Sequence, residues 1–169
     1  MSDFEKADVY AIGRVIGFER FSETFEVQAK DMLRQYSAFS FYARVKIGRV
    51  LKGTIEEGNE ILVFEGCYDQ PKEDNVEPVW VGQCNSHPKA GFEIGQSYVL
   101  AVNAQPAPEL KEKNGYSLRS CHHSLYPLFT CIDEKTDVRH TAVKLNEDKD
   151  ATNVPLEKFL ARITKKSKQ

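Results

Sequence analysis

The sequence is poor in the features that announce most activities. It has no Gly-x-Ser-x-Gly elbow and no glycine-rich phosphate loop, so the sequence signatures of a serine hydrolase and of a nucleotide cradle are both missing. Its four cysteines contain no Cys-x-x-Cys pair, which removes the usual zinc-finger and thioredoxin-type motifs. No apolar run approaches the ~18 residues that a membrane-spanning helix needs. The opening Met1-Ser2-Asp3-Phe4-Glu5-Lys6 is acidic and polar, unlike the apolar core of a secretory leader. A basic excess is lacking too. Lys and Arg number 23 against 25 Asp and Glu, giving a net charge of -2, and affinity built on phosphate neutralisation is not expected of such a chain.

What is present points to β-structure. A length of 169 residues suits one domain and allows a sizeable core without crosslinks. Ten Phe and seven Tyr favour strands. The run from Asp8 to Phe18 is apolar on both faces and reads as a buried strand, with Gly13 marking a bend or bulge. Residues 19–37 are mixed and fit a short helix or a long hairpin arm. From Phe39 to Val50 the alternation is clear. Phe41, Ala43, Val45 and Ile47 share one face, and Tyr42, Arg44 and Lys46 share the other. Gly48 breaks the rhythm, as a bulge would. Ile61 to Phe64 reads as a short returning strand, Cys67 to Asn75 as a polar loop, and Val79-Trp80-Val81 as a short strand or extended arm.

Further on, Gly95 sits where a turn must deliver the chain into Tyr98-Val99-Leu100-Ala101-Val102. Residues 104–115 form a loop, and Tyr116 to Cys121 is the next strand. Leu125, Leu128 and Phe129 suggest a short helical turn. Near the end, Thr152 or Asn153 can cap a helix with Pro155 in its first turn. Leu156, Phe159, Leu160 and Ile163 then make an apolar stripe at helical spacing. The expected fold is mainly β: a small Greek-key, OB-like barrel of five or six strands with a C-terminal helix packed on it, with a β-sandwich as the fallback. It spans residues 1–169 as one domain, with a core about 7–130 and a helical extension about 152–165.

Candidate chemistry is sparse. Cys67, Cys84, Cys121 and Cys131 are an even set, and four cysteines allow three disulfide pairings that sequence does not separate. Cys84, His87, Cys121 and His122 are a candidate metal set of the ligand types zinc prefers. Adjacent His122 and His123 point to opposite faces of an extended chain, so they do not readily share one ion. No residue is singled out as catalytic, and no cofactor is expected. Tyr42, Arg44 and Lys46 form an aromatic and basic stripe of the kind that binds single-stranded nucleic acid on OB barrels, although the overall acidity disfavours that use. Residues 54–77 carry eight acidic side chains against Lys72 alone. They fit a solvated loop or a patch for a basic partner.

The order of several motifs resembles the netrin-like module, the OB-fold domain of tissue inhibitors of metalloproteinases, and especially its bacterial relatives. The matching stretches are Ala7-Asp8-Val9-Tyr10-Ala11-Ile12-Gly13-Arg14-Val15 and Val45-Lys46-Ile47-Gly48-Arg49-Val50-Leu51-Lys52-Gly53. Cys84 with Phe92-Glu93-Ile94-Gly95-Gln96-Ser97-Tyr98-Val99-Leu100, and Leu118-Arg119-Ser120-Cys121, complete the set over roughly residues 7–130. In those inhibitors an N-terminal Cys-x-Cys chelates the target's zinc and pairs with the cysteines that Cys84 and Cys121 resemble. Met1 to Lys6 supplies no Cys-x-Cys, so protease inhibition is not carried over. The resemblance implies a secreted, periplasmic or envelope setting, with a leader removed ahead of Met1; a cytoplasmic chain starting at Met1 is the competing reading. The expected role is a non-catalytic module that binds another protein, with single-stranded nucleic acid as the alternative ligand and a Cys/His metal protein or enzyme as the second alternative.

Overall fold

A strand converts alternating apolar and polar residues into one buried face and one outward face. In the computed structural model, which describes residues 6–29, 32–71, 79–82, 91–105, 115–119, 125–132, 139–147 and 150–166, the alternating stretch around Val45 is the middle of a long strand. The strands are β1 (Val9–Ala29), β2 (Met32–Lys52), β3 (Glu60–Pro71), β4 (Val79–Gly82), β5 (Ser97–Gln105), β6 (Gly115–Leu118), β7 (Leu125–Ile132), β8 (Arg139–Glu147) and β9 (Asp150–Pro155), followed by helix α1 (Leu156–Lys166).

Five strands close on themselves in the order β1-β2-β3-β6-β5, with β5 pairing back onto β1. β3 and β6 are parallel, joined by Leu62 opposite Gly115 and Val63 opposite Tyr116; the other pairs of the ring are antiparallel. The fold is an OB-like ring. It is not a plain barrel, because β7, β8 and β9 continue the sheet outward from β5. On the side of β5 away from β1, β6 takes Val102 to Gln105 and β7 takes Tyr98 to Leu100.

Two cores follow from the two faces of β1 and β5. Val9, Ala11, Val15, Val45, Ile47, Val63, Leu100 and Val102 fill the ring. Tyr10, Val99 and Ala101 point the other way, where Val143, Val154 and the α1 residues Phe159, Leu160 and Ile163 cover them. Burying one such aliphatic or aromatic side chain stabilises by about 1.5–3 kcal/mol, so the stripe on α1 is enough to dock a helix of this length. Burial in this second core pushes the Tyr10 phenol up to about 12.

Irregular register curls the strands. Ile12 stands opposite Arg49 and Gly13 opposite Ile47, so Gly48 is an extra residue on β2. Ile16 is likewise extra on β1, between the Val15–Val45 and Gly17–Arg44 pairs. Glu65 is extra on β3, between the Phe41–Gly66 and Tyr42–Phe64 pairs. Such bulges bend and twist a strand, as a closing ring requires. Glycine at 13 also lets the sheet approach itself, since a Cβ there would lie 2.5 Å from Cγ1 of Val45.

The sequence expectations hold for the ring and for the packed C-terminal helix, and several local ones fail. Residues 19–37 are the hairpin arm: β1 and β2 pair out to Ala29 opposite Met32. The loop expected from Cys67 begins as strand instead, because β3 runs on to Pro71 with β4 beside it. The helical turn expected around Leu125 is strand β7, whose residues pair with β5 and then with β8. The expected cap residues Thr152 and Asn153 belong to β9, and the helix begins only after Pro155. In each case a neighbouring strand satisfies the backbone, which overrides the local signal.

Candidate functional site

The turn at Glu93–Gln96 borders an open groove. The Gln96 amide donates to the Glu93 carbonyl at 3.1 Å, and Gly95 has φ +86, the conformation a type II turn demands of its third residue. The turn is fastened to β1. Gly95 N donates to Val15 O at 2.8 Å and Val15 N donates to Gln96 O at 3.0 Å. Arg14 Nε donates to Gly95 O at 3.0 Å. Gln96 Nε2 reaches Leu128 O at 2.6 Å, tying the turn to β7 as well. Behind it, Tyr98 accepts from the Glu93 amide at 3.0 Å and packs edge-on against Phe92.

Docked in this way, the turn forms one wall of a groove of about 500 Å³ across the outside of β1. Ile12, Arg14 and Ile16 line the floor, Lys46 and Gly48 the β2 side, and Ile94 and Ser97 the opposite wall. Gly48 has no side chain to fill the space. Ile94 is 66% exposed and Ile16 38%, unusual for isoleucine. Arg14 and Lys46 meet no carboxylate among the described side chains, so the groove is cationic on a chain that is acidic overall. An apolar floor with a few convergent polar groups is the usual make-up of a recognition site.

The aromatic and basic stripe is arranged differently from what its sequence suggests. Tyr42 points out of the ring but is only 1% exposed, because Phe21 and Phe64 pack edge-on against it beside Leu62. Its ring is closed to base stacking. Arg44 donates to Glu60 Oε2 at 2.8 Å and lies 3.4 Å from Glu19 Oε1. Its hydrogen bond to Glu60 is the main reason its pKa is raised. Two glutamates therefore answer the charge of Arg44, and Lys46 alone of the three joins the groove.

Glu65 forms a second notable position, at the Phe92 end of the ring. Burial pushes its carboxyl above the usual range, while a backbone hydrogen bond from Phe92 pulls the other way. Burial raises the nearby Tyr98 phenol too.

Cys131 lies on β7 opposite His140 and carries a free thiol. Cys84, Cys121, His87 and His122 lie outside the described residues, as does the side chain of Cys67. Among the described residues no group of three His, Cys, Asp or Glu side chains could hold a metal ion, and no helix is long and apolar enough to cross a membrane.

Set against family models, curated proteins and solved structures, the chain matches none.

Sequence reasoning marked Gly13, Gly48 and Gly95 as backbone irregularities without linking them. Arg14, Ile16 and Ile94 were missed as site residues. Their signal is weak, since an exposed isoleucine is recognisable only once the turn is seen lying against the bulge.

Proposed function

We propose that this protein is a binding module that receives an extended segment of another protein in the groove between Ile94 and Lys46. The carrying observation is that one groove is lined both by two exposed isoleucines, Ile16 and Ile94, and by two cations, Arg14 and Lys46, that meet no described carboxylate. Branched apolar side chains would fill the floor, and a carboxylate would meet Arg14 and Lys46. The burial of Tyr42 and the two glutamates on Arg44 weigh against single-stranded nucleic acid as the ligand. The resemblance of the Gly13, Gly48 and Gly95 motifs to netrin-like modules supports a secreted or envelope setting, which accessibility of the protein to a membrane-impermeant label in intact cells would test.

The groove itself is tested by selecting displayed random peptides on the purified protein and comparing their affinity for Ile94→Asp and Lys46→Glu variants. Both substitutions fall on exposed positions, so folding is retained. Losses of about tenfold or more, with selected peptides rich in acidic and branched apolar residues, are expected. Selected peptides that bind both variants as well as the parent would sink the proposal.

A further inference from the structure

Two positive charges stand side by side in the groove. Arg14 on β1 lies directly opposite Lys46 on β2, so their side chains share one face of the sheet, with Cβ atoms about 5 Å apart. Like charges in that position destabilise a sheet unless an opposite charge answers them. Among the described residues no carboxylate does. On β3 the residue opposite Lys46 is Glu60, but its carboxylate goes to Arg44 at 2.8 Å. On β5 the residue opposite Arg14 is Ser97, a neutral hydroxyl that also lines the groove. The cation pair lies between two bulges, with Gly48 extra on β2 and Ile16 extra on β1. Bulges re-aim side chains and increase the local twist, and these two bracket the row of Ser97, Arg14 and Lys46 within the groove.

Arg14 is also positioned for a ligand. Its Nε donates to Gly95 O at 3.0 Å, which fixes the guanidinium and leaves its two terminal nitrogens to another acceptor. Resting on the groove reading above, we infer that the bound protein segment carries a phosphate monoester whose oxygens bridge Arg14 and Lys46, flanked by branched apolar residues set against Ile16 and Ile94. Charge complementarity decides the class. A carboxylate brings one negative charge to two cations, whereas a phosphorylated side chain brings close to two, with three strong acceptor oxygens. An arginine fork meets such oxygens in pairs and lysine adds a point charge, and the Ser97 hydroxyl is a further donor in the same row. The acidic residues expected in displayed peptides are then substitutes for the phosphoryl group, which such peptides lack.

The test uses the full chain and synthetic peptide libraries fixed at their centre as phosphoserine, glutamate or serine, with random flanks. The phosphoserine library is expected to bind about tenfold or more tighter than the glutamate library, with branched apolar flanks enriched and the serine library weakest. Lys46→Gln should erase that preference. By ending the like-charge contact it should also raise the thermal midpoint of the free protein at low salt. A lowered midpoint would mean that Lys46 is answered within the protein, and overturns the inference. Equal binding of the phosphoserine and glutamate libraries, or a preference that survives Lys46→Gln, overturns it too; if Ile94→Asp still abolishes binding of the displayed peptides, the groove reading survives alone. Displayed peptides that bind Ile94→Asp and Lys46→Glu as well as the parent remove the two proposals together. Inorganic phosphate that raises the parent's midpoint, with no preference among the libraries, overturns the inference in favour of a free anion.

Discussion

The Gly95 amide donates to the Val15 carbonyl at 2.8 Å, joining the turn to the strand at the last residue before the β1 bulge. The bond forms only because residue 95 holds φ +86, which costs an L-residue about 1–2 kcal/mol. A Cβ at this position would meet only Arg14 Nη2, at 3.8 Å, so Gly95→Ala is penalised by backbone conformation and not by collision. Urea denaturation of that variant is expected to show a loss of about 1–2 kcal/mol. An unchanged midpoint would mean that the turn is not held as described.

Gly13→Ala is destabilising for the opposite reason. Its backbone is ordinary strand, but the new Cβ would sit 2.5 Å from Cγ1 of Val45. Overpacking of this kind costs about 1–3 kcal/mol. Adding Val45→Ala removes the colliding methyl, so the double variant should be less destabilised than the sum of the two singles. Strict additivity in a double-mutant cycle would contradict the close approach.

Glu65 gives the stability a pH dependence of unusual sign for a carboxylate. Burial raises its pKa in the folded state, so the native protein holds this proton more tightly than the unfolded chain. Its contribution is present below the ordinary value of 4.5 and is lost as pH rises through the raised folded value. Glu65→Gln keeps an acceptor for the Phe92 amide and abolishes the titration. Against the parent, it should gain stability relatively as pH rises from acid to neutral. A difference independent of pH would exclude Glu65 as the source.

Helix α1 is held by packing. Phe159, Leu160 and Ile163 are buried against the second core, and Phe159 lies on Tyr126 with ring centroids 5.0 Å apart. Phe159→Ala should cost about 3 kcal/mol or more. The Arg49–Glu157 pair, at 3.1 Å, is exposed, and pairs of that kind contribute little in water. Glu157→Gln should leave the thermal midpoint unchanged within error. The reverse ranking would mean that the ion pair docks the helix.

The ring was legible in the sequence because its signals are local. The alternation from Ala43 to Ile47, the break at Gly48 and the turn at Gly95 each act on their own stretch of chain, and α1 announced itself by its stripe. β7 to β9 were not legible. Leu125, Leu128 and Phe129 happen to be spaced like a helix face, and Thr152-Asn153 preceding Pro155 looks like a cap. Only the pairing of Leu128 with Val143 and of Val143 with Val154 makes them strand, and pairing is a property of distant segments. The groove was hidden for a related reason. Ile16 and Ile94 are far apart in sequence and acquire meaning only through the bond between Gly95 and Val15.

The parallel contact between β3 and β6 consists of two rungs, Leu62–Gly115 and Val63–Tyr116, whereas β1 and β2 pair along almost their whole length. Parallel rungs are the weaker kind, and these join segments distant in sequence, so they repay their loop-closure entropy late. The long hairpin is therefore expected to form before the ring shuts, an order that φ-values at β1–β2 and at Val63 would check. The same two rungs are the shortest seam of the ring, and the amides of Gly115 and Tyr116 should exchange by a smaller opening than those at the centre of β2.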